Sequence, residues 1–152
     1  MKIRTLILIA AIVLFSGVDV IAGDFTDNGD GTVTDGNTGL MWQQSEGGSM
    51  NWENAITYCE ALSFAGYTDW RLPNTKELES ITDDSLFHPT IDTNYFPDAH
   101  WGASSDASRY WSSTIYAYAS PYAWYVDFYS GLMDASHRSE DYIYVRCVRG
   151  GQ

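Results

Sequence analysis

The sequence predicts an α+β domain, and three observations carry that expectation. A turn-rich hairpin pattern is followed by two stretches of helical period, and strand patterns return only after a long aperiodic segment. Strands and helices are therefore segregated along the chain instead of alternating in βαβ units. The chain of 152 residues, 45% hydrophobic and 15% aromatic, has the size and apolar content of one domain with its own core. No repeat, heptad or Gly-X-Y run competes with this reading.

Residues 1–23 have the three parts of a secretory signal. Lys2 and Arg4 open it, an apolar run extends from Leu6 to Phe15, and Val20-Ile21-Ala22 forms a small-residue cleavage site, so processing is expected after Ala22 or Gly23. Ser16, Gly17 and Asp19 close the apolar run short of the roughly 20 residues a membrane span needs. The expectation is an exported domain over 24–152, in the periplasm, at the cell surface or outside the cell, with no span left after cleavage.

The segment from Asp24 to Asp35 is rich in Asn-Gly and Asp-Gly, which supply the positive φ of tight turns. An EF-hand register fails, because it puts Thr26 and Asn37 where the loop needs Asp and a bidentate Glu. Thr32-Val33-Thr34 and Gly39-Leu40-Met41-Trp42 read instead as a hairpin joined through residues 35–38. From Asn51 the period changes: Trp52, Ala55, Ile56, Cys59 and Leu62 share one helical face, with Asn51 as N-cap and Glu53 in the first turn. A second, short helix follows Trp70-Arg71-Leu72-Pro73, opened by an Asn74/Glu77 capping box, with Leu78 and Ile81 facing inward.

No period persists over 82–108, a length at which loops tend to carry function. Strand alternation resumes with Trp124, Val126 and Phe128, taken as core-facing, and Ser130-Gly131 then turns the chain. In the last run Ile143, Val145 and Cys147 fall on one face of a strand, with Tyr144, Arg146 and Val148 on the other.

Cys59 and Cys147 are the two cysteines of the chain. In an exported protein such a pair reads as a bridge, and over so long a loop it would disfavour the unfolded state by roughly 4 to 5 kcal/mol. A thiol nucleophile or half of a metal site would need neighbours. The chain has no CxxC, and His88, His100 and His137 lack ligand spacing.

The charge balance excludes one class of partner. Twenty acidic residues against 8 basic give a net charge of −12, and loss of Lys2, Arg4 and Asp19 with the signal leaves 6 basic against 19 acidic, a net of −13. Nucleic acid and anionic lipid are bound through Lys and Arg, so neither is an expected partner.

Tyr116, Tyr118 and Tyr122, set among Ser, Ala and Pro121, are the candidate binding residues. Tyr rings with small neighbours give contact area at low entropic cost. Trp70 and Arg71 read either as a recognition pair, the indole stacking on a ring and the guanidinium meeting an acid, or as scaffold, and Trp111-Ser112-Ser113-Thr114 as a packed strand whose hydroxyls tie down a loop. Asp83, Asp84 and Asp92 are the weak candidates for Ca²⁺, although their spacing fixes no complete set of oxygen ligands and no cofactor is required. No pair of carboxylates is marked out for glycoside hydrolysis.

An ordered set of segments resembles the Lcl C-terminal domain family, bacterial exported domains named after a collagen-like adhesin. The set comprises Gly29-Asp30-Gly31-Thr32-Val33, Thr38-Gly39-Leu40-Met41-Trp42, Trp52 through Leu62, and Asp69-Trp70-Arg71-Leu72-Pro73-Asn74 with Glu77-Leu78. It continues through Tyr110-Trp111-Ser112-Ser113-Thr114, Ala123-Trp124 with Val126-Asp127-Phe128, and Tyr144-Val145-Arg146-Cys147-Val148-Arg149. The resemblance implies a C-type-lectin-like fold whose first-helix Cys, here Cys59, bridges to a last-strand Cys, here Cys147. The Arg71-Leu72-Pro73 turn is also similar to one in formylglycine-generating enzymes of the same general fold. Those enzymes use active-site cysteines, and a bridge removes both thiols here, so no enzyme is expected.

The family's adhesin is associated with sulfated glycosaminoglycans, an expectation this acidic chain opposes. Only Arg71, Lys76, Arg109, Arg138, Arg146 and Arg149 remain to meet a polyanion. The sequence thus points to a non-catalytic recognition or adhesion domain, binding a glycan or protein through surface drawn from 83–108 and 114–122. A structural subunit of a surface or envelope assembly is the alternative, and no oligomeric state is assigned.

Overall fold

The computed structural model describes residues 24–99 and 108–150. Residues 1–23, read above as a secretory signal, and residues 100–107 of the predicted binding surface lie outside the described residues. The chain is α+β, with two helices, two small antiparallel sheets and one disulfide.

The first sheet has the order β1 (Phe25–Asp27), β2 (Thr32–Asp35), β3 (Met41–Gln43) and β7 (Val148–Arg149). The β2–β3 hairpin pairs Val33 with Trp42. Asp35 closes it: its carboxylate accepts from the Asn37 N–H at 2.9 Å and from the Thr38 hydroxyl at 2.6 Å. Likewise the Asp30 carboxylate accepts from the Thr32 N–H and hydroxyl, as an Asx turn requires.

α1 (Trp52–Ala61) begins at Asn51, whose side chain accepts from the Asn54 N–H. Trp52, Ala55 and Cys59 of the predicted stripe are buried, while Leu62 is the C-cap and lies just past the helix. α2 (Thr75–Glu79) opens on a complete capping box between Asn74 and Glu77. Leu78 and Ile81 are buried beneath it.

The second sheet has the order β4 (Arg109–Ile115), β5 (Tyr122–Asp127) and β6 (Leu132–His137), with Gly131 at φ +75° in the β5–β6 turn. β5 divides the core. Val126, continued by Phe128, joins Trp42, Leu78, Ile81 and Phe96, whereas Ala123 and Tyr125 join Trp52, Trp70, Trp111 and the disulfide. Both faces of the sheet are therefore used, as an alternating strand between two apolar layers requires.

The last run departs from the predicted two-faced strand. Only Val148 and Arg149 pair in the sheet, while Ile143, Val145, Arg146, Cys147 and Val148 are all buried. The segment threads between the two sheets. Its carbonyls at Ile143, Val145 and Cys147 accept from Met50, Gly47 and Gln43, and the Tyr144 carbonyl accepts from Trp111 of β4. Cys147 meets Cys59 there, 88 positions away.

Trp70 and Arg71 take the scaffold alternative: Arg71 ties α2 to this segment. Trp70 is buried, and Arg71 makes two hydrogen bonds to the Glu77 carboxylate, at 2.6 and 2.7 Å, and one to the Gly150 carbonyl. Burial works against the Glu77 charge, but the Arg71 bonds and the Asn74 N–H outweigh it and hold the carboxyl below its ordinary pKa. A folded pKa below the unfolded one contributes stability above about pH 4.3, and that stability is lost as pH falls through the folded value. Glu77→Gln is expected to cost about 1 kcal/mol at neutral pH and to flatten the acid limb of stability against pH, measured by urea unfolding from pH 7 to 3.

Candidate functional site

β4 and β5 are joined by residues 116–121, and this hairpin end is held firmly. The Tyr116 N–H donates to the Tyr122 carbonyl and the Tyr122 N–H to the Ala119 carbonyl, both at 2.9 Å. Arg138, just past β6, pins the tip to the start of α1. Its N–H donates to the Pro121 carbonyl at 2.8 Å, its Nη1 to the Ser120 carbonyl at 3.2 Å and its Nε to Glu53 Oε1 at 2.9 Å. The guanidinium also stacks 4.5 Å from the Trp52 ring, whose Nε1 donates to the Ser112 carbonyl at 2.8 Å. The hairpin is thus fixed by a cation, an indole and backbone bonds, which is pre-organisation of the kind binding surfaces use.

Three of its aromatic rings stand on this rigid end together with a fourth that sequence alternation had assigned to the core. Trp124 lies on the same face of β5 as the fully buried Val126, yet it is half-buried and faces outward. Val126 and Phe128 belong to the cluster of Leu78, Ile81, Ile91 and Phe96, which Trp124 does not join, so one strand face passes from core to surface. Ala135, opposite Trp124 on β6, is too small to cover the indole. Tyr116 meets Trp124 edge to face, with ring centres 5.2 Å apart and planes at 73°. Tyr118, 5.6 Å from Tyr116, is 91% exposed. Tyr122 is also exposed and packs edge-on against His137 at 5.4 Å. Tyr116, Ala119, Tyr122, Trp124, Asp134 and Ala135 enclose an open groove of about 360 Å³.

No Lys or Arg lines this groove. Arg71 pairs with Glu77, Lys76 with Glu79, Arg138 with Glu53, Arg146 with Asp98 and Arg149 with Asp69. Arg109 lies 5.0 Å over the Tyr125 ring. Hydrogen bonds from Arg138 and Arg149 hold the Glu53 and Asp69 carboxyls below their ordinary range. Cations committed to carboxylates of the chain leave the surface acidic in effect as well as in count.

Two of the three Ca²⁺ candidates share a groove. Asp83 and Asp92 line a second groove of about 290 Å³ beside Leu86, Phe87 and Asn94, and Asp84 is not among its lining residues. Asp83 Oδ1 accepts from the N–H and hydroxyl of Ser85, and Asp92 Oδ1 from the N–H and side-chain amide of Asn94. No group of three His, Cys, Asp or Glu residues suited to a metal ion occurs among the described residues. The loop around these acids serves the core more than the sequence indicated: Thr90, Ile91, Phe96 and Ala99 are buried, and the Thr90 N–H donates to the Phe128 carbonyl.

Fold and site together define a disulfide-tied α+β domain with an aromatic hairpin end whose groove is lined by no Lys or Arg. The model of the Lcl C-terminal domain family matches residues 31–149, and the chain belongs to that family. Among the curated proteins, none matches the chain. No helix among the described residues is long and apolar enough to cross a membrane.

Proposed function

We propose that the protein is an exported, non-catalytic recognition domain of C-type-lectin-like fold, binding a glycan or protein ligand at the hairpin end of its three-stranded sheet. The observation that carries this reading is the exposure of Tyr118, Tyr122 and part of Trp124 on a hairpin that Arg138 holds rigid. Aromatic rings on a fixed frame supply binding area at low ordering cost. Export is supported by the signal pattern of residues 1–23 and by the disulfide, a bond that persists in oxidising compartments. With both cysteines joined, no thiol remains for chemistry of the formylglycine-generating type.

The pairing of Arg71, Lys76, Arg138, Arg146 and Arg149 with carboxylates argues against a sulfated glycan as ligand. Heparin chromatography is expected to give elution at low salt, and a glycan and protein array to give ligands whose binding falls at least tenfold in Tyr118→Ala and Trp124→Ala. Tight, salt-sensitive heparin retention would contradict the reading. An assembly role draws on Leu132 and Met133, exposed on the outer strand β6. Concentration-dependent self-association in sedimentation, abolished by Leu132→Asp, would favour it.

A further inference from the structure

We infer that the groove between β5, β6 and the hairpin takes an alkylated ammonium group, in its simplest form a quaternary ammonium. This inference rests on the reading of the hairpin end as the binding site and names the chemistry it recognises. Tyr116, Tyr122 and Trp124 contribute rings to the groove, and the 73° angle between the Tyr116 and Trp124 planes makes a corner. A cation seated in such a corner meets electron-rich aromatic surface from more than one side, and Trp is the strongest partner for it.

Charge points the same way. Asp134 lines the groove, and no Lys or Arg does. One of its oxygens accepts from the Ala135 N–H at 2.8 Å, and no cation of the described residues pairs with its charge, unlike Glu53, Asp69, Glu77, Glu79 and Asp98. Asp134 stands opposite Tyr125 in the β5–β6 register, so its side chain leaves β6 on the other face from the indole, and its charge acts on a cation in the groove across the edge strand while the rings make the contact. Ala119 and Ala135 leave room at the walls for methyl groups. Alkylation matters because a bare ammonium is strongly hydrated, whereas methyl groups spread the charge and gain from contact with the rings. An uncharged sugar would use the indole face and leave the Asp134 charge without a role.

The test is a titration of the isotope-labelled protein with tetramethylammonium and choline at fixed ionic strength, following the Trp124 indole signal by NMR. The uncharged isostere of choline, 3,3-dimethylbutan-1-ol, is run beside them. Choline is expected to bind roughly three- to thirtyfold more tightly than the alcohol. Asp134→Asn, at an exposed position, should weaken choline and leave the alcohol unchanged, and Trp124→Leu and Tyr116→Leu should each weaken choline. Phosphocholine and a peptide carrying Nε-trimethyl-lysine then identify which carrier is preferred, and tighter binding of either supports the assignment. Equal binding of choline and its isostere, or no shift with any ammonium probe, overturns it. If the probes fail while Tyr118→Ala still abolishes array binding, the inference falls and the proposed function stands. If Tyr118→Ala and Trp124→Ala also leave array binding intact, both fall.

Discussion

Joint replacement of Cys59 and Cys147 by Ser is expected to lower stability by about 4 kcal/mol, the larger part of the margin of many domains of this size. The bridge spans 88 positions, so it removes a long loop's worth of freedom from the unfolded chain. Its place in the fold adds to that effect. Cys59 lies on the buried face of α1, and Cys147 sits in the segment whose backbone bonds join the two sheets. Both sulfurs belong to the layer built from Trp52, Trp70 and Trp111, so the bridge also fixes how the helix packs on that layer. Urea unfolding of the oxidised protein and the double-Ser variant measures the difference directly. A loss under about 1 kcal/mol would mean that the packing around α1 holds the final segment without the bridge.

Arg146→Ala is expected to cost about 3 to 5 kcal/mol, the second large effect. The side chain is fully buried. Nη1 donates to the Gln43 carbonyl at 2.8 Å and to that of Gln44, and Nη2 reaches Asp98 Oδ1 at 3.3 Å. The guanidinium lies 4.8 Å from the Phe96 ring and 5.6 Å from that of Tyr110. Asp98 in turn accepts from the Glu46 N–H through its other oxygen, at 2.8 Å. One cation thus gathers the end of β3, the segment after it and the loop over residues 82–99. Truncation leaves buried carbonyls without a donor, a carboxylate without its cation, and a cavity against two rings, and these costs act together. Arg146→Lys is expected to recover only part of the loss, since an ammonium lacks the planar fork that serves Gln43, Gln44 and Asp98 at once. Thermal unfolding of the Ala and Lys variants checks the order. Equal stability of Arg146→Ala and wild type would contradict it.

Features set by local chemistry were legible in the sequence. The Asn74/Glu77 capping box, the Asn51 cap, the Trp52-Ala55-Cys59 stripe and the β2–β3 hairpin each arise from side chains within a few positions of one another. What the sequence obscured depends on the third dimension. The final segment alternates like a strand with one wet face, but it lies between two sheets, so Arg146 and Val148 are as buried as Val145 and Cys147. Phe96 and Ile91 enter the core from an aperiodic loop, where tertiary hydrogen bonds such as Thr90 to Phe128 replace a repeating pattern. β6 has no alternating apolar signal, since Leu132 and Met133 at its start are both exposed.

The site was half legible on the same grounds. Tyr116, Tyr118 and Tyr122 were visible as Tyr among small residues around Pro121. Trp124 was hidden by its parity with Val126 and Phe128, because period 2 assigns a face of a strand and not the extent to which that face is covered. Arg138 and Asp134 carried no signal. Their places come from the pairing of β6 with β5, which sets Asp134 opposite Tyr125 and brings Arg138 beside the β4–β5 hairpin.

The central claim is that recognition takes place at the hairpin end of the three-stranded sheet. Backbone and indole NMR shift mapping, with a ligand selected on the array, tests it most directly. The account predicts shifts concentrated at residues 116–124, at Asp134 and Ala135, and at the Trp124 indole. Shifts concentrated instead around Asp83, Phe87 and Asp92, with the Trp124 indole unmoved, would contradict it.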